Sequence, residues 1–533
     1  MRKLLFLLFV GIAISLTSCR KDFAFEPSSG GLEFSKDTVY LDTVFTNIGS
    51  STYRLKVYNR SDKDISIPSV QLGKGLNSKY RIMVDGMSGN GKIFKNVELL
   101  AKDSMFVFIE VTADVASANP TDFLYTDQIQ FTNVSGASQN VELVTLIQDA
   151  YFIYPQRTLN TSNHYEYEGV TLGLNDENKS VTIAGNNLDE NDPINGNEFI
   201  WNNSKPYVIY GYAHVPDGKM LTVQEGARIH FHANSGLIIA KDGRLFIDGK
   251  RPSSDNSPTN LSKEVLFEGD RLESQFSDVP GQWGAIINYS TRSDNVINHL
   301  TLKNASVGIY CYNLANVNDN EIPKITINDS QIYNCSNVGI LARKAAINGK
   351  NIVINYCGEA SLACTFGGTY EFKHCTFNNN WNSSKQAAVL LTDYYETTTS
   401  YITRPFTANF TNCIIYGSNQ VEYLVDRKGN DTINQFNYNF SNCLIKFYSS
   451  SDAINALPYY SFANFTNFPS CKIATTNSLY NPKFKSENNN KLWPTEDLSL
   501  SIPTIFLVDV PNDILDKTRT PNNTIGAYQF IAN

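Results

Sequence analysis

One tetrapeptide recurs in the second half of the chain, as Ile332–Cys335 (IYNC), Ile354–Cys357 (INYC), Phe372–Cys375 (FKHC), Phe410–Cys413 (FTNC) and Phe440–Cys443 (FSNC). In each copy a large apolar residue stands three positions before a cysteine. The first two cysteines are 22 residues apart. A period of about 20 to 50 residues indicates a solenoid. The longer gaps between later copies leave room for loop insertions.

Stacked coils explain the residue types in this repeat. The coils of a β-helix lie about 4.8 Å apart, so each side chain meets its equivalents from the neighbouring coils. The large apolar residue and the small cysteine both suit a dry interior. Asparagine tolerates left-handed backbone, and its amide can bond to a neighbouring turn. We therefore predict one vertical column of buried free thiols, a structural ladder of Cys335, Cys357, Cys375, Cys413 and Cys443.

The coils are expected to span residues 200–480. Residues 221–232 (LTVQEGARIHFH) suit opening coils, and Asn523–Gln529 (NTIGAYQ) forms a distinctive ending. These stretches resemble the parallel β-helix domains of the pectate-lyase-like superfamily, especially those of Bacteroidota lipoproteins. The resemblance implies a right-handed parallel β-helix followed by a C-terminal cap or tail at 481–533. It specifies the fold far better than the function.

The N-terminus has the pattern of an export signal. Residues 1–18 combine two positive charges with an apolar stretch that is too short to span a bilayer. The segment Leu16–Cys19 (LTSC) resembles the bacterial lipobox, which implies cleavage before Cys19 and acylation of that residue. Arg20–Asp22 partly resembles the surface-export signal of Bacteroidota lipoproteins. We expect a lipid-anchored outer-membrane protein that faces the cell surface on a tether at 19–30. The alternative is an ordinary signal peptide with a chance cysteine.

The region 31–150 consists of short alternating runs separated by turn residues, which is typical of a β-sandwich. It resembles the immunoglobulin-like domains near the N-terminus of Bacteroidota surface lipoproteins. A spacer is the expected role, and an adhesive module is the alternative. Residues 151–199 are expected to connect the two domains. The predicted fold class is therefore all-β, an N-terminal β-sandwich followed by a right-handed parallel β-helix.

Composition limits the possible partners. The formal net charge is −8, which gives no electrostatic reason to bind nucleic acid. After the signal segment, no apolar run approaches the length of a membrane-spanning helix. The membrane contact is expected through the N-terminal lipid alone, and a monomer is expected.

The sequence contains no recognisable catalytic set. Enzymes of the superfamily that this chain resembles use Ca²⁺ on clustered carboxylates with a Lys or Arg base, or a pair of Asp residues. The polygalacturonase signatures and adjacent Asp pairs are missing from the helix region. Arg343 or Lys344 could supply a base, but a solvated loop is the favoured interpretation. The catalytic residues, if there are any, are unknown.

Metal ligands are equally sparse. His230 and His232 lie on one face of a strand, yet no third ligand is evident. The acidic loop Asp189–Asp192 could hold Ca²⁺ through oxygens, but a solvated connector is favoured. His374 occupies the Asn position of a repeat and is expected to be structural. No Cys-x-x-Cys pair occurs, so no metal site is predicted, although some disulfide pairing remains open.

Aromatic residues in loops offer the best binding candidates. Tyr394, Tyr395 and Tyr401 belong to an expected insertion, and Tyr459 and Tyr460 lie near the last coils. Exposed rings stack on the C–H face of sugars, and loops on a rigid scaffold often carry binding residues. We expect a non-enzymatic envelope protein that binds a glycan or another macromolecule along the β-helix flank. The alternative is a polysaccharide lyase or glycoside hydrolase with an unrecognised site.

Overall fold

The computed structural model describes residues 24–87, 89–114, 123–174, 179–252, 257–312, 321–396, 400–429, 435–521 and 523–530. The expected signal peptide (1–18) and Cys19 lie outside the described residues, so lipidation stays a prediction. The chain divides into two units, Met1–Asp149 and Ala150–Asn533. Within the described part, no helix has the length and apolar character needed to cross a membrane.

Unit 1 is a sandwich of two sheets. One sheet has the order β1-β5-β9-β10-β3, with β7 paired to β5, and the other has the order β2-β4-β8-β6. Alternate residues of each strand face the core between the sheets, as Met105, Val107 and Ile109 do. The strands are β1 (Glu26–Pro27), β2 (Glu33–Phe34), β3 (Thr38–Phe45), β4 (Tyr53–Tyr58), β5 (Ile65–Leu72), β6 (Tyr80–Val84), β7 (Ile93–Leu99), β8 (Ser104–Val111), β9 (Leu124–Thr132) and β10 (Ser138–Gln148).

Unit 2 is built from parallel strands and a few hairpins. Its first strands are β11 (Tyr151–Ile153), β12 (Arg157–Leu159), β13 (Tyr165–Tyr167), β14 (Gly169–Leu174), β15 (Ser180–Asn187), β16 (Ile200–Trp201), β17 (Tyr207–Ile209), β18 (Tyr212–Val215), β19 (Met220–Gln224), β20 (Arg228–Phe231), β21 (Gly236–Ile239), β22 (Arg244–Asp248), β23 (Val265–Gly269), β24 (Ile286–Asn288), β25 (Val296–Asn298), β26 (Leu300–Lys303) and β27 (Val307–Cys311).

The later strands include two long ones that turn a corner of the coil. They are β28 (Lys324–Asn328), β29 (Gln331–Cys335), β30 (Val338–Lys350), β31 (Val353–Cys357), β32 (Ala360–Lys373), β33 (Thr376–Asn379), β34 (Ala387–Thr392), β35 (Tyr394–Glu396), β36 (Tyr401–Thr403), β37 (Phe406–Thr411), β38 (Ile414–Gly417), β39 (Tyr423–Asp426), β40 (Phe436–Ser441), β41 (Leu444–Lys446), β42 (Lys472–Ala474), β43 (Phe484–Ser486) and β44 (Lys491–Pro494). Helical turns lie at Gly75–Asn77, Ser274–Phe276, Asp452–Asn455, Pro458–Tyr460 and Glu487–Asn489.

Three parallel ladders form the sides of the solenoid. Face A contains β11, β17, β20, β23, β26, β29, β31, β33, β38, β41 and β42. Face B contains β15, β18, β21, β24, β27, the first parts of β30 and β32, β34 and β39. Face C contains β16, β19, β22, β25, β28, the later parts of β30 and β32, β37 and β40. The predicted all-β class, a β-sandwich followed by a parallel β-helix, is therefore confirmed.

The coils begin earlier than the sequence predicted. β11 already pairs in parallel with β17 on face A, and β15 pairs in parallel with β18 on face B. The segment 151–199, predicted as a connector, therefore contributes strands to the first coil. Inside the solenoid, equivalent rings stack from coil to coil: Phe372 lies 5.2 Å from Phe410, and Phe410 lies 4.6 Å from Phe440, between ring centroids.

The cysteines form two columns, so the prediction of one vertical column is wrong. Cys335 pairs in register with Cys357 at the end of face A, where the chain turns to face B. Cys375, Cys413 and Cys443 lie instead at the corner before face A. There the backbone N–H of Cys375 points to Sγ of Cys413, and that of Cys413 points to Sγ of Cys443, each at 3.4 Å. All five are buried free thiols.

A shared local conformation explains this mistake. The residue before each of these cysteines has a positive φ, between 51° and 57°. Such left-handed residues turn the chain at a corner and leave the next small side chain pointing inward. The dipeptide Asn-Cys occurs at both corners, as Asn334-Cys335 and as Asn412-Cys413, so the sequence pattern does not distinguish the two corners. The left-handed residues are Asn334, Tyr356, His374, Asn412 and Asn442.

The C-terminal segment, predicted as a cap or tail at 481–533, lies along face A. Ile525 packs with Ile414 and Leu444 from the strands of that face. Corner asparagines donate to its backbone: Asn412 Nδ2 to the carbonyl of Ile505 at 2.7 Å, and Asn351 Nδ2 to that of Asn512 at 3.0 Å. The described part of this segment is therefore a strap over face A. Faces B and C carry the remaining candidate surfaces.

Candidate functional site

Face B presents aromatic side chains because its strands alternate. In β27, Ile309 and Cys311 point into the core, while Tyr310 points outward. Tyr312 follows on the same side, and the two rings stack with centroids 4.0 Å apart and planes 14° apart. Tyr289 from the preceding coil donates its hydroxyl to that of Tyr312 at 3.2 Å. Three tyrosines thus line this part of the face.

Arg343 lies at the centre of these rings. Its Nη1 donates to the hydroxyl of Tyr310 at 3.3 Å, and its Cζ lies 4.8 Å from the ring centroid of Tyr395. The ring of Tyr312 is 6.0 Å away from the same Cζ. The side chain is half-buried. In the described part of the chain, no carboxylate forms an ion pair with it.

The hairpin β35–β36 brings Tyr395 to Arg343. Its base is fixed by Asp393, a buried carboxylate that accepts from Nε of Arg427 at 3.2 Å and from the backbone N–H of Lys428 at 2.9 Å. Tyr395 also lies against Phe366, at the corner where β32 turns from face B to face C, with centroids 5.7 Å apart. The insertion inferred from sequence is therefore anchored to the solenoid. Residues 397–399 at its tip lie outside the described range.

The other two predicted tyrosines form a second cluster on this hairpin. Tyr394 and Tyr401 meet edge to face with centroids 5.3 Å apart, and the Tyr394 hydroxyl donates to Asp426 Oδ2 at 2.5 Å. Nζ of Lys428 lies 5.6 and 5.4 Å from the two ring centroids. Tyr401 is 49 % exposed. The structure therefore divides the three predicted tyrosines between two neighbouring clusters.

The hydroxyls of Tyr289, Tyr312 and Tyr394 remain protonated at neutral pH. Burial, together with the neighbouring phenol of Tyr310, raises the pKa of Tyr312 to about 12. Burial also raises the pKa of Tyr289, and the hydrogen bond to Asp426 raises that of Tyr394. The hydroxyl of Tyr312 accepts from Tyr289, so its own proton is available to a ligand, whereas the protons of Tyr289 and Tyr394 are already donated within the protein. The guanidinium of Arg343 stays charged, so it offers a cation rather than a base.

We define the tyrosine–arginine site as Tyr289, Tyr310, Tyr312, Arg343 and Tyr395. The sequence singled out Arg343 and Tyr395 but missed the three other tyrosines. The alternation of buried and outward positions in β27 was the signal that could have found Tyr310. Lys344, the other predicted base, lies at a bulge where β30 turns from face B to face C.

The histidine pair does not converge on one ligand site. Nδ1 of His232 lies 2.7 Å from Oδ2 of Asp270. His230 is buried, with Nδ1 3.4 Å from the carbonyl of Gly269 and 3.6 Å from Glu268. Across the described residues, no group of three His, Cys, Asp or Glu side chains is arranged to hold a metal ion.

His374 has a structural position at a corner of the solenoid. Its Nδ1 lies 3.3 Å from the carbonyl of Gly526, and its Nε2 lies 2.9 Å from Nδ2 of Asn412. Burial lowers its pKa well below the usual value, so the ring is neutral. It helps to hold the C-terminal strap on face A.

The acidic loop uses its carboxylates locally. Oδ1 of Asp189 accepts from the N–H of Asn191 at 3.0 Å, and Oδ1 of Asp192 accepts from the N–H of Asn195 at 2.7 Å. Glu190 pairs with Lys219 at 3.0 Å. These contacts match those of a connector loop.

The tyrosines near the last coils have different environments. Tyr460 is buried, and its ring stacks on Phe447 with centroids 4.6 Å apart. Tyr459 is partly buried against the same core. Neither is placed with the tyrosine–arginine site.

A separate pocket of about 670 Å³ lies beside the first coils. Phe152, Tyr154, Tyr167 and Tyr210 contribute to its lining. The ring of Tyr210 stacks on His232 with centroids 4.3 Å apart, and burial raises the pKa of Tyr210 to about 12. This pocket was not predicted from the sequence, because its walls come from a hairpin and from three successive coils.

Comparisons with known proteins reveal little similarity. No family model and no curated protein matches the sequence. The PapD-like domain 7 of human CEP192 is 14% identical with a TM-score of 0.15, over 24% of this chain and 93% of that one. The periplasmic chaperone SfaE is 12% identical with a TM-score of 0.15, over 29% and 84%. A GH5 xyloglucanase from Bacteroides ovatus is 10% identical with a TM-score of 0.14, over 58% and 72%. At these scores the similarities carry no argument.

Proposed function

We propose that this protein binds a negatively charged glycan at the tyrosine–arginine site on face B. The observation that carries the proposal is Arg343, a half-buried cation that contacts three tyrosines and no carboxylate of the described residues. Removing a charge from water without a counter-ion is costly. A carboxylate or sulfate group of the ligand would supply that counter-ion through bidentate hydrogen bonds.

The surrounding rings suit the sugar part of such a ligand. The aromatic faces of Tyr395 and Tyr312 offer flat apolar surface for pyranose C–H groups, and the hydroxyls of Tyr310 and Tyr312, which accept bonds within the protein, offer donors. The hairpin that carries Tyr395 is rooted by the buried pair Asp393–Arg427, so the ring is presented on a fixed base. Preorganised contacts of this kind lower the entropy that binding costs. We also propose that acylation of Cys19 attaches the protein to the outer membrane, with this site on the cell surface.

A glycan array tests the function. The soluble chain from residue 24 is applied to neutral and acidic glycans, together with Arg343→Gln and Tyr395→Ala. We expect binding to uronic-acid or sulfated glycans, with clear loss in both variants. The matched controls Arg292→Gln and Tyr40→Ala, both at exposed positions, should bind as the wild type does. Binding restricted to neutral glycans, or unchanged binding in both site variants, would refute the proposal.

A second candidate is a polysaccharide lyase or glycoside hydrolase, favoured by one observation. The dyad His232–Asp270 lies next to Tyr210, which lines the aromatic pocket, and a carboxylate that orients a histidine is an arrangement of general bases. Assays for unsaturated products and for new reducing ends, on the same acidic glycans, address both chemistries. Activity that disappears in His232→Ala would favour the enzyme over the binding protein.

A further inference from the structure

The outer face of the four-stranded sheet of unit 1 exposes an apolar strip. Phe106 and Phe108 of β8 point outward and are 37 % and 38 % exposed. Their centroids are 6.1 Å apart with planes at 22°. Met83 of β6 pairs with Phe108 across the sheet and is 53 % exposed. Contiguous exposed apolar side chains on a soluble domain indicate an interaction surface.

Cations border this strip along the neighbouring strand. In β4, Arg54 lies opposite Phe108 and Lys56 lies opposite Phe106. Nζ of Lys56 is 5.5 Å from the ring centroid of Phe106 and 5.3 Å from that of Tyr58. Two cross-strand rows therefore combine a basic side chain with an aromatic one. We call the five residues Arg54, Lys56, Met83, Phe106 and Phe108 the β8 patch.

The cations on this sheet and at its border are only partly neutralised. Arg60 pairs with Glu33 at 2.7 Å, and Arg81 pairs with Glu110 at 3.2 Å. Arg54 and Lys56 have no such ion pair among the residues that the structure describes. Acidic groups on a partner would therefore find two unneutralised cations at this strip.

A groove extends the patch. It has a volume of about 430 Å³ and is lined by Met83, Met87, Phe94 and Phe108, with Arg81 and Glu110 at its polar side. Methionine side chains adapt to the shape of whatever packs on them. One apolar side chain of a partner fits such a groove, with the sheet face beside it.

The opposite sheet provides an internal contrast. Its outward positions include Gln71 and Gln130, whose side chains bond at 3.2 Å, and Thr132 and Ser138, whose hydroxyls lie 2.9 Å apart. This surface satisfies its own polar groups. The cross-strand pairing of exposed phenylalanines with basic side chains described above lies on the sheet that contains β8.

We infer that the β8 patch docks a partner protein through a segment that places an apolar side chain between acidic residues. A glycan fits less well, because Lys56 lies over the rings of Phe106 and Tyr58 and the patch has no amide or hydroxyl side chain. A second copy of this chain also fits less well. A two-fold contact would place the basic strip of one copy against the same basic strip of the other.

Selection of phage-displayed random peptides on the soluble chain from residue 24 tests this inference. We expect enriched peptides to carry Asp or Glu around an aromatic or aliphatic residue. Synthetic versions of these peptides should bind the Lys56→Glu variant about tenfold more weakly than the wild type, since this substitution reverses a charge at the centre of the patch. Phe106→Ser combined with Phe108→Ser should abolish binding, and Leu146→Ser, a 39 % exposed position on the other sheet, should not.

Several outcomes would overturn the inference. These are no enrichment, enrichment of neutral or basic peptides, and affinities unchanged in Lys56→Glu. Concentration-dependent dimerisation that Phe106→Ser removes would assign the patch to a second copy, and loss of glycan binding in the patch variants would assign it to a sugar. Circular dichroism of each variant shows whether the sandwich remains folded. Lys56→Glu changes only a surface side chain, so it keeps the test valid if the double serine variant unfolds.

Discussion

The guanidinium of Arg343, on a coil strand of face B, lies 4.8 Å from the ring of Tyr395, on an inserted hairpin. Sequence inspection suggested these two residues for different roles, one as a base and the other as a glycan contact. Their proximity replaces both suggestions with a single one, a cationic and aromatic binding surface. The hairpin is therefore part of the binding site.

The buried thiols should be protected in the folded protein. Burial raises the pKa of Cys311 to about 12, and the thiolate is the reactive form. We expect a thiol reagent such as Ellman's reagent to leave the seven buried cysteines unmodified, and to modify the partly exposed Cys471 slowly. All eight cysteines of the described chain should react in denaturant. Fast reaction of several thiols in the native protein would contradict the two buried columns.

Asn379 is expected to stabilise the corner at the end of face A, in the coil where the cysteine column stops. Its amide donates to the carbonyl of Cys357 at 2.9 Å and to that of Ala387 at 3.1 Å, and its oxygen accepts from the N–H of Cys357. Asn379→Ala leaves these buried groups unpaired, at a cost of about 3 kcal/mol. Urea unfolding measures this loss, and the exposed Asn348→Ala is a suitable control. A change below about 1 kcal/mol would contradict the expected role.

Asp329 should make the stability of unit 2 pH-dependent. Burial raises its pKa to about 7 in the folded protein, with Asp513 and Asp516 adding to the shift and Arg519 opposing it. The unfolded value is about 3.9, so between these pH values the folded state holds a proton that the unfolded state releases. Stability therefore falls as pH rises through this window.

Replacing that carboxyl tests the sign. Asp329→Asn keeps an oxygen that can accept from Nδ2 of Asn351, a bond of 2.8 Å in the structure, and it removes the titration. We expect this variant to be more stable than the wild type at about pH 8 and to differ little at about pH 4. Urea unfolding across that range measures both. If the unfolding free energy of the wild type changed between these pH values to the same extent as that of the variant, the assignment would be contradicted.

The C-terminal strap should contribute to stability through Tyr528. This ring is buried beside Val353, and its hydroxyl donates to Oε1 of Gln331 at 3.2 Å. Tyr528→Ala should cost about 3 to 5 kcal/mol, whereas Tyr528→Phe loses only one hydrogen bond, about 1 kcal/mol. Limited proteolysis should then cut the strap of the alanine variant first. Equal protection of the two variants would show that the strap does not depend on this contact.

The sequence predicted the coils well because their pattern is local. Each tetrapeptide contains an inward Phe or Ile, a residue that turns the corner and an inward cysteine, all within one coil. It could not report which corner, since Asn334 and Asn412 have the same left-handed conformation at different corners. The sequence pattern also did not predict that Asn379, and not a cysteine, continues the first column. Its role depends on contacts with another coil.

The site was harder to predict because its contacts are long-range. Arg343 meets Tyr310 from the preceding coil and Tyr395 from a later insertion, and no local pattern links the three. The strap was recognised as an ending, but its position on face A depends on Asn351 and Asn412 at the corners. The β8 patch was missed because an alternating strand with outward Phe106 and Phe108 looks the same in sequence as one with those residues buried.

Isothermal titration with an acidic oligosaccharide, an oligouronate selected by the array, tests the central claim most directly. The variants are Arg343→Gln, Tyr395→Ala and their combination. We expect each single change to weaken binding about tenfold. The double variant should lose less binding free energy than the sum of the two single losses, because the two side chains form one contact. Fully additive losses, or an affinity in Arg343→Gln equal to that of the wild type, would contradict a site built around this pair.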